Sequence, residues 1–261
     1  MSDKKNFYFL SGMPRAGNTL LASLLNQNNA VRVSPNSVVY DIFDKLTNIV
    51  HTANYQNFPL HSSLLNVVSN IFDNYYNNWN FEHIIDRSLW GVPNNFNMLR
   101  HLFNDNVKII LLVRPAVEIL ASLVRMRKPE NVENFCDVLM DPYNNDFLHE
   151  EKKPMMLYYS LIAKKHLLEQ DKKYYCLINY DELVSETEET LNKIYDFLEI
   201  PRFKHHRFNN LEQLKILGVK YNDAIKNYSH LHTIRTDKIE KNDYKILNYL
   251  PESVIEKYKN V

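Results

Sequence analysis

The sequence predicts an α/β protein: a doubly wound parallel sheet of about five strands flanked by helices, in a single domain spanning residues 1–261. Three observations carry this. Residues 7–25, FYFLSGMPRAGNTLLASLL, read as an apolar strand, a tight glycine loop and the start of a helix. Residues 107–113, VKIILLV, are the most apolar run of the chain and show no alternation, as a central parallel strand covered on both faces should. Strand-like runs at about 7–11, 30–34, 81–86, 107–113 and 174–179 are separated by helical stretches, which is the pattern of parallel crossovers.

Taken in order, the first strand and its helix (Asn18 to Leu25) lead to Ala30–Ser34, a short second strand stopped by Pro35 and Asn36. Val38, Val39, Ile42, Phe43, Leu46, Ile49 and Val50 then repeat at helical spacing over 37–50, with Asn36 or Ser37 as cap. Residues 51–61 read as a loop, and 62–76 as a further helix with Leu64, Leu65, Val68, Ile71 and Phe72 on one face. The asparagine-rich 74–80 is a break before the third strand, which runs out into Asp86 and Arg87. A helix over 94–103 precedes the central strand, which ends in Arg114 and Pro115, and a helix follows to about Arg127. Residues 128–153 read as an irregular excursion with one short helix, followed by a long helix from Pro154 to about Gln170 and the strand YYCLI. Asp181–Leu183 reads as a turn, 186–198 as an amphipathic helix ended by Pro201, and 202–261 as loop-rich until Pro251 starts a last helix.

Composition narrows the function classes. The chain has 45% hydrophobic and 24% charged residues, and 31 basic side chains balance 31 acidic ones. That is a globular composition with no overall field to attract nucleic acid or a membrane surface, so any anion site is local. Cys136 and Cys176 are far apart and lack metal-type spacing, which suits a reducing compartment. The N-terminal apolar run is too short for a signal peptide and no run approaches a membrane span, so a cytoplasmic location is expected.

The loop is the chemical signal. The chain contains 4 glycines, well below the usual ~7%, and Gly12 and Gly17 share this one loop. Glycine so sparingly used marks backbone that takes positive φ or approaches a ligand closely. Unpaired N–H groups at the start of the following helix make an anion site of the P-loop type. Arg15 adds a charged fork and Thr19 a hydroxyl. The nucleotide-triphosphate form of the loop, G-x-x-x-x-G-K-[ST], is not met, because Asn18 and Thr19 follow Gly17 and the lysine is missing. Asp86 with Arg87, and Arg114, fall at other strand ends, where open α/β sheets bind ligands.

The chain resembles the sulfotransferases that use 3′-phosphoadenylyl sulfate. The first signature of that family is matched by Pro14-Arg15-Ala16-Gly17-Asn18-Thr19, and the second, a strand-end arginine with a serine eight residues on, by Arg114 and Ser122. A looser element is matched by Asn179-Tyr180-Asp181-Glu182-Leu183-Val184 and the following FLEIP, and Lys238-Ile239-Glu240-Lys241 lies where relatives carry a cofactor-covering loop. The resemblance implies that Arg15 and the backbone of Ala16, Gly17, Asn18 and Thr19 hold the 5′-phosphosulfate. It implies that Arg114 and Ser122 hold the 3′-phosphate, with Lys238 and Lys241 closing over the cofactor. Tyr180 packs near adenine or in the core.

Arg87 stands where the family often has a lysine, and would stabilise the departing oxygen. The family's carboxylate after the second strand is absent from Ser34-Pro35-Asn36-Ser37. Asp41 is the nearest substitute as base, with His51, His61 and Asp86 as rivals. The resemblance implies adenosine 3′,5′-bisphosphate as product, no metal, and a small-molecule, glycan or protein hydroxyl (or amine) as acceptor. A P-loop kinase and a degenerate nucleotide-binding protein that has lost catalysis are the alternative readings.

Overall fold

The computed structural model describes residues 5–34, 36–141, 156–213, 215–220, 233–234, 237–240 and 244–261. Five parallel strands, β1 (Asn6–Gly12), β2 (Val31–Ser34), β3 (His83–Arg87), β4 (Ile109–Val113) and β5 (Tyr175–Asn179), form one sheet in the order β2-β3-β1-β4-β5. From β1 the chain moves to one side for β2 and returns to the other for β4, so the strand order switches beside β1. The carboxyl ends of β1 and β4 meet there, with Ser11 opposite Leu111 and Gly12 opposite Leu112. This is the place where a doubly wound sheet opens a crevice.

The elements between the strands are α1 (Asn18–Leu25), α2 (Val39–Asn48), α3 (Ala53–Asn57), α4 (His61–Ser69), α5 (Ile71–Tyr75), α6 (Pro93–Leu102), α7 (Ala116–Arg127), α8 (Val132–Met140) and α9 (Met156–Leu168). After β5 come α10 (Tyr180–Ser185), α11 (Thr187–Leu198), a small hairpin of β6 (Lys215–Ile216) and β7 (Val219–Lys220), and α12 (Glu252–Tyr258). All five residues of β4 are buried, as its unbroken apolar run requires. On one face of the sheet Phe7, Phe9, Phe72, Trp90 and Phe103 pack ring against ring, with centroids 5.3 to 6.1 Å apart. This cluster anchors β1 and the loop after β3.

The five predicted strands are all present, each within two residues of its expected limits. The differences lie between them. The helix expected over 62–76 is broken at Asn70, whose amide bonds back to the Asn66 carbonyl (2.8 Å) and ends α4. Residues 51–61 contain α3, capped by the Thr52 hydroxyl accepting from the Tyr55 N–H. Asp181–Leu183 is helix rather than turn, because Glu182 reaches back to the Asn179 N–H and starts α10. The β6–β7 hairpin turns on Leu217 and Gly218, both at positive φ. No helix among the described residues is long and apolar enough to cross a membrane. Both cysteines are buried and free.

Candidate functional site

The loop after β1 is held from both sides. The Met13 N–H donates to the Leu112 carbonyl of β4 (2.9 Å), and the Ala16 N–H donates back to the Met13 carbonyl (3.3 Å). Arg15 takes φ +59° and Gly17 φ +93°, so the loop passes through the left-handed region twice in three residues. For Gly17 this conformation is free of steric cost, and a side chain there would also press on Tyr180 and Leu183 at 3.2 Å. Gly12 is required for another reason: a Cβ at that position would lie 1.5 Å from Asn18 Oδ1. The Asn18 side chain is buried and folds back into the loop, its Nδ2 donating to the Met13 carbonyl at 2.7 Å. Asn18 therefore shapes the loop with its side chain and faces the crevice only with backbone. Ala16 likewise turns its methyl into the core. Thr19 is partly exposed in the first turn of α1, where the N–H groups have no acceptor within the helix.

Three distant side chains converge on this loop. Arg114, directly after β4, is only 3% exposed. Its Nη1 donates to the Arg15 carbonyl (2.9 Å), its Nε to Glu118 Oε2 (3.0 Å), and its guanidinium lies 4.3 Å from the centre of the Tyr180 ring. Ser122, two turns into α7, accepts from Arg15 Nε at 3.2 Å. Arg15, Arg114, Ser122 and Tyr180 thus belong to one cluster built from the ends of β1, β4 and β5. Of the two environments expected for Tyr180, the structure shows a buried ring stacked on Arg114 and against Gly17.

Arg87 sits at the end of β3 beside Leu10, and its carbonyl accepts from the Ser37 N–H (3.1 Å), which ties the strand end to the entry of α2. The neighbouring Asp86 points the other way. Its carboxyl is fully buried, accepting from the Tyr76 hydroxyl (2.6 Å) and from Trp90 Nε1 (2.8 Å), and burial pushes its pKa up to about 6. Asp86 is therefore a core ligand of the strand end and not a base open to an acceptor.

Asp41 lies exposed in the first turn of α2. Beside it Tyr40 packs edge-on to Trp90 at 6.3 Å, and its hydroxyl is raised above the ordinary range by burial and by Asp44, Asp41 and Tyr159. Tyr40, Trp90 and Tyr159 are neighbours of Asp41 and Asp86 that the sequence alone does not single out, Trp90 lying fully in the core. Tyr159 lies on a helix more than a hundred residues away, and nothing local marks it. His51 and His61 are exposed beyond the far end of α2, with His61 bonded to the Tyr55 hydroxyl. Lys238 is exposed and paired with Glu240, and its backbone bridges Asn209; Lys241 lies outside the described residues.

The donors gathered at this loop are of the kind that hold anions: first-turn N–H groups of α1, a left-handed glycine, and two guanidiniums, one of them bonded to Ser122. Among the described residues no three His, Cys, Asp or Glu side chains are grouped as metal ligands.

A family model described as "Sulfotransferase family" matches residues 8–205. No curated protein matches the chain. Among solved structures, the chain is similar to the sulfotransferase domain from the curacin biosynthetic pathway, at 17% identity over 77% of this chain and 75% of that one, TM-score 0.48. It is similar to the sulfotransferase from Alicyclobacillus acidocaldarius at 15% identity, over 76% of this chain and 81% of that one, TM-score 0.48. It is also similar to mouse sulfotransferase SULT7A1 complexed with PAP, at 16% identity over 77% and 60% of the two chains, TM-score 0.44.

Proposed function

From the premise that the chain belongs to the sulfotransferase family, we propose that it moves a sulfuryl group from 3′-phosphoadenylyl sulfate to a hydroxyl or amine acceptor. The observation that carries the donor is the Arg15–Ser122–Arg114 cluster standing at the N-terminus of α1. When bound, the donor supplies an activated sulfuryl group whose leaving group is a phosphate oxygen.

The chain's own residues would do the rest. The N–H groups of Gly17, Asn18 and Thr19 and the Arg15 fork take the 5′ end, where negative charge grows as the bond breaks. Arg114 and Ser122 take the 3′-phosphate, and Tyr180 keeps the Arg114 plane in place by stacking. Lys238 and Lys241 are assigned to the closing segment. Arg87, at a strand end and tied to the α2 entry, is assigned to the charge on the departing oxygen. Asp41, exposed beside Tyr40 at the crevice edge, is assigned to take the acceptor's proton. The kinase reading loses support because the residue after Gly17 buries its side chain in the loop and offers no cation to a terminal phosphate.

The test is calorimetric binding of adenosine 3′,5′-bisphosphate without metal, beside ATP with magnesium, on wild type, Arg114→Ala and Ser122→Ala. Metal-independent bisphosphate binding that weakens in both variants supports the donor, and turnover of labelled 3′-phosphoadenylyl sulfate with an acceptor panel then tests transfer. Magnesium-dependent ATP binding with no bisphosphate binding overturns the proposal in favour of a kinase. Turnover lowered by Asp41→Asn and Arg87→Ala supports their assigned roles, whereas bisphosphate binding with no turnover on any acceptor class favours a protein that binds the nucleotide without catalysis.

A further inference from the structure

The run Arg114-Pro115-Ala116-Val117-Glu118 sets an arginine and a glutamate one helical turn apart. Pro115 stands as the cap before α7, and its carbonyl accepts from the Glu118 N–H (3.0 Å). Glu118 therefore lies in the first turn, where the helix dipole favours a negative side chain, and Ser122 follows one turn further along the same face. The Glu118 carboxylate accepts from Arg114 Nε at 3.0 Å. With the Arg114 side chain 2% exposed and that of Glu118 25%, this is not the solvated kind of ion pair that contributes little.

A guanidinium presents all its N–H groups in one plane, so holding one edge decides which edge is left. The Tyr180 ring covers a face of Arg114, with its centre 4.3 Å away. Glu118 takes the Nε edge, and the Arg15 carbonyl takes one hydrogen of Nη1. Nη2 and the other hydrogen of Nη1 are left without an acceptor among the described residues.

Resting on the donor reading above, we infer that Glu118 is a positioning residue for the 3′-phosphate. By gripping the Nε edge it stops the guanidinium from turning about its stem, so that the Nη2 edge is the one offered to the nucleotide. Glu118 acts through Arg114 alone. Its charge by itself repels a phosphate, so what it contributes is the fixed acceptor and not the negative charge. Geometry and charge can be separated, because glutamine keeps an acceptor oxygen at the same reach, whereas aspartate keeps the charge but withdraws its oxygens by one methylene.

The experiment is calorimetry on the full chain with adenosine 3′,5′-bisphosphate and, beside it, adenosine 5′-phosphate, which lacks the group that Arg114 is assigned to hold. Glu118→Ala should weaken the bisphosphate about tenfold and Glu118→Asp severalfold, with Glu118→Gln within about threefold of wild type. All three should bind adenosine 5′-phosphate within about twofold of wild type, which a general disturbance of the loop would not allow. Without nucleotide, the Arg114 Nε–H resonance, assigned by its loss in Arg114→Ala, should exchange slowly with solvent in wild type and Glu118→Gln and rapidly in Glu118→Ala. Equal losses on the two nucleotides overturn the inference, as do a glutamine variant as weak as the alanine one, an aspartate variant at the wild-type value, tighter binding in Glu118→Ala, or an exchange rate that Glu118→Ala leaves unchanged. A wild type that binds no bisphosphate removes the donor reading and the phosphate role with it, whereas any of the preceding outcomes with bisphosphate bound to wild type removes the Glu118 role alone.

Discussion

Replacing Asp86 by asparagine should remove a pH dependence of stability that runs against the usual one. The buried carboxyl is raised from 3.8 to about 6 in the fold, while the unfolded chain keeps the ordinary value. Between those values the folded protein holds a proton that the unfolded chain has released, so stability falls as pH rises. Its contribution is complete below about pH 4 and lost through about pH 6; at about 1.4 kcal/mol per unit it amounts to about 3 kcal/mol. His83 and His206, both lowered by burial, act oppositely in the upper part of this window. Asp105, held down to about 2 chiefly by the Tyr174 hydroxyl, acts below it.

The quantity to read is therefore the difference between wild type and Asp86→Asn. Asparagine keeps the shape, its carbonyl still accepting from Trp90 Nε1 and its amide donating to the Tyr76 oxygen. Urea unfolding at half-unit steps from pH 4 to 7.5 should show the variant gaining about 3 kcal/mol on wild type, most of it by pH 6.5. Asp86→Ala, which leaves Trp90 Nε1 only the backbone carbonyl of residue 86 (3.1 Å) and the Tyr76 hydroxyl only Ser37 Oγ (3.5 Å), should be less stable than Asp86→Asn at every pH. A difference between wild type and Asp86→Asn that stays flat over this range would refute a carboxyl held protonated by burial.

Gly12→Ala should cost about 1–3 kcal/mol by driving a methyl into the Asn18 carboxamide. Adding Asn18→Ser should recover part of it, which a double-mutant cycle in urea measures. Arg15→Ala should weaken adenosine 3′,5′-bisphosphate by about 10- to 100-fold, the worth of one charge-assisted contact, with the melting temperature nearly unchanged because the side chain is partly exposed. Calorimetry at two salt concentrations checks this, the wild type being the more salt-sensitive. Tyr180→Phe, which keeps the ring over Arg114, should cost less than Tyr180→Leu, which removes it and should cost about 1 kcal/mol or more. Equal effects of the two substitutions would remove the stacking role.

The Tyr180 effect arises from a pairing across the fold and the Asp86 and Gly12 effects from the way nearby side chains turn, and together they mark the boundary of what could be read without the structure. Local order was legible. The unbroken run of residues 107–113 announces a strand covered on both faces, and its position as β4 at the switch point agrees. The loop of Gly12 to Thr19 was legible from glycine economy, because backbone at positive φ selects residue type one position at a time. The capping residues that start α3 and α10 were also within reach, since Thr52 and the Asn179–Glu182 pair act over three residues.

What could not be read is which side chain meets which. The pattern that placed Asn18 at the loop did not say that its amide would turn inward and make Gly12 obligatory. Asp86 looked like a crevice carboxylate until Tyr76 and Trp90 closed on it, and Tyr159 became a neighbour of Tyr40 only through the packing of α9. Propensity, capping and apolar period act within a few residues, so the chain alone determined the strands, the loop and the strand-end arginines. Burial and charge pairing act between segments that only the folded sheet brings together, so the tertiary structure alone decided the partners of those arginines and the burial of Asp86.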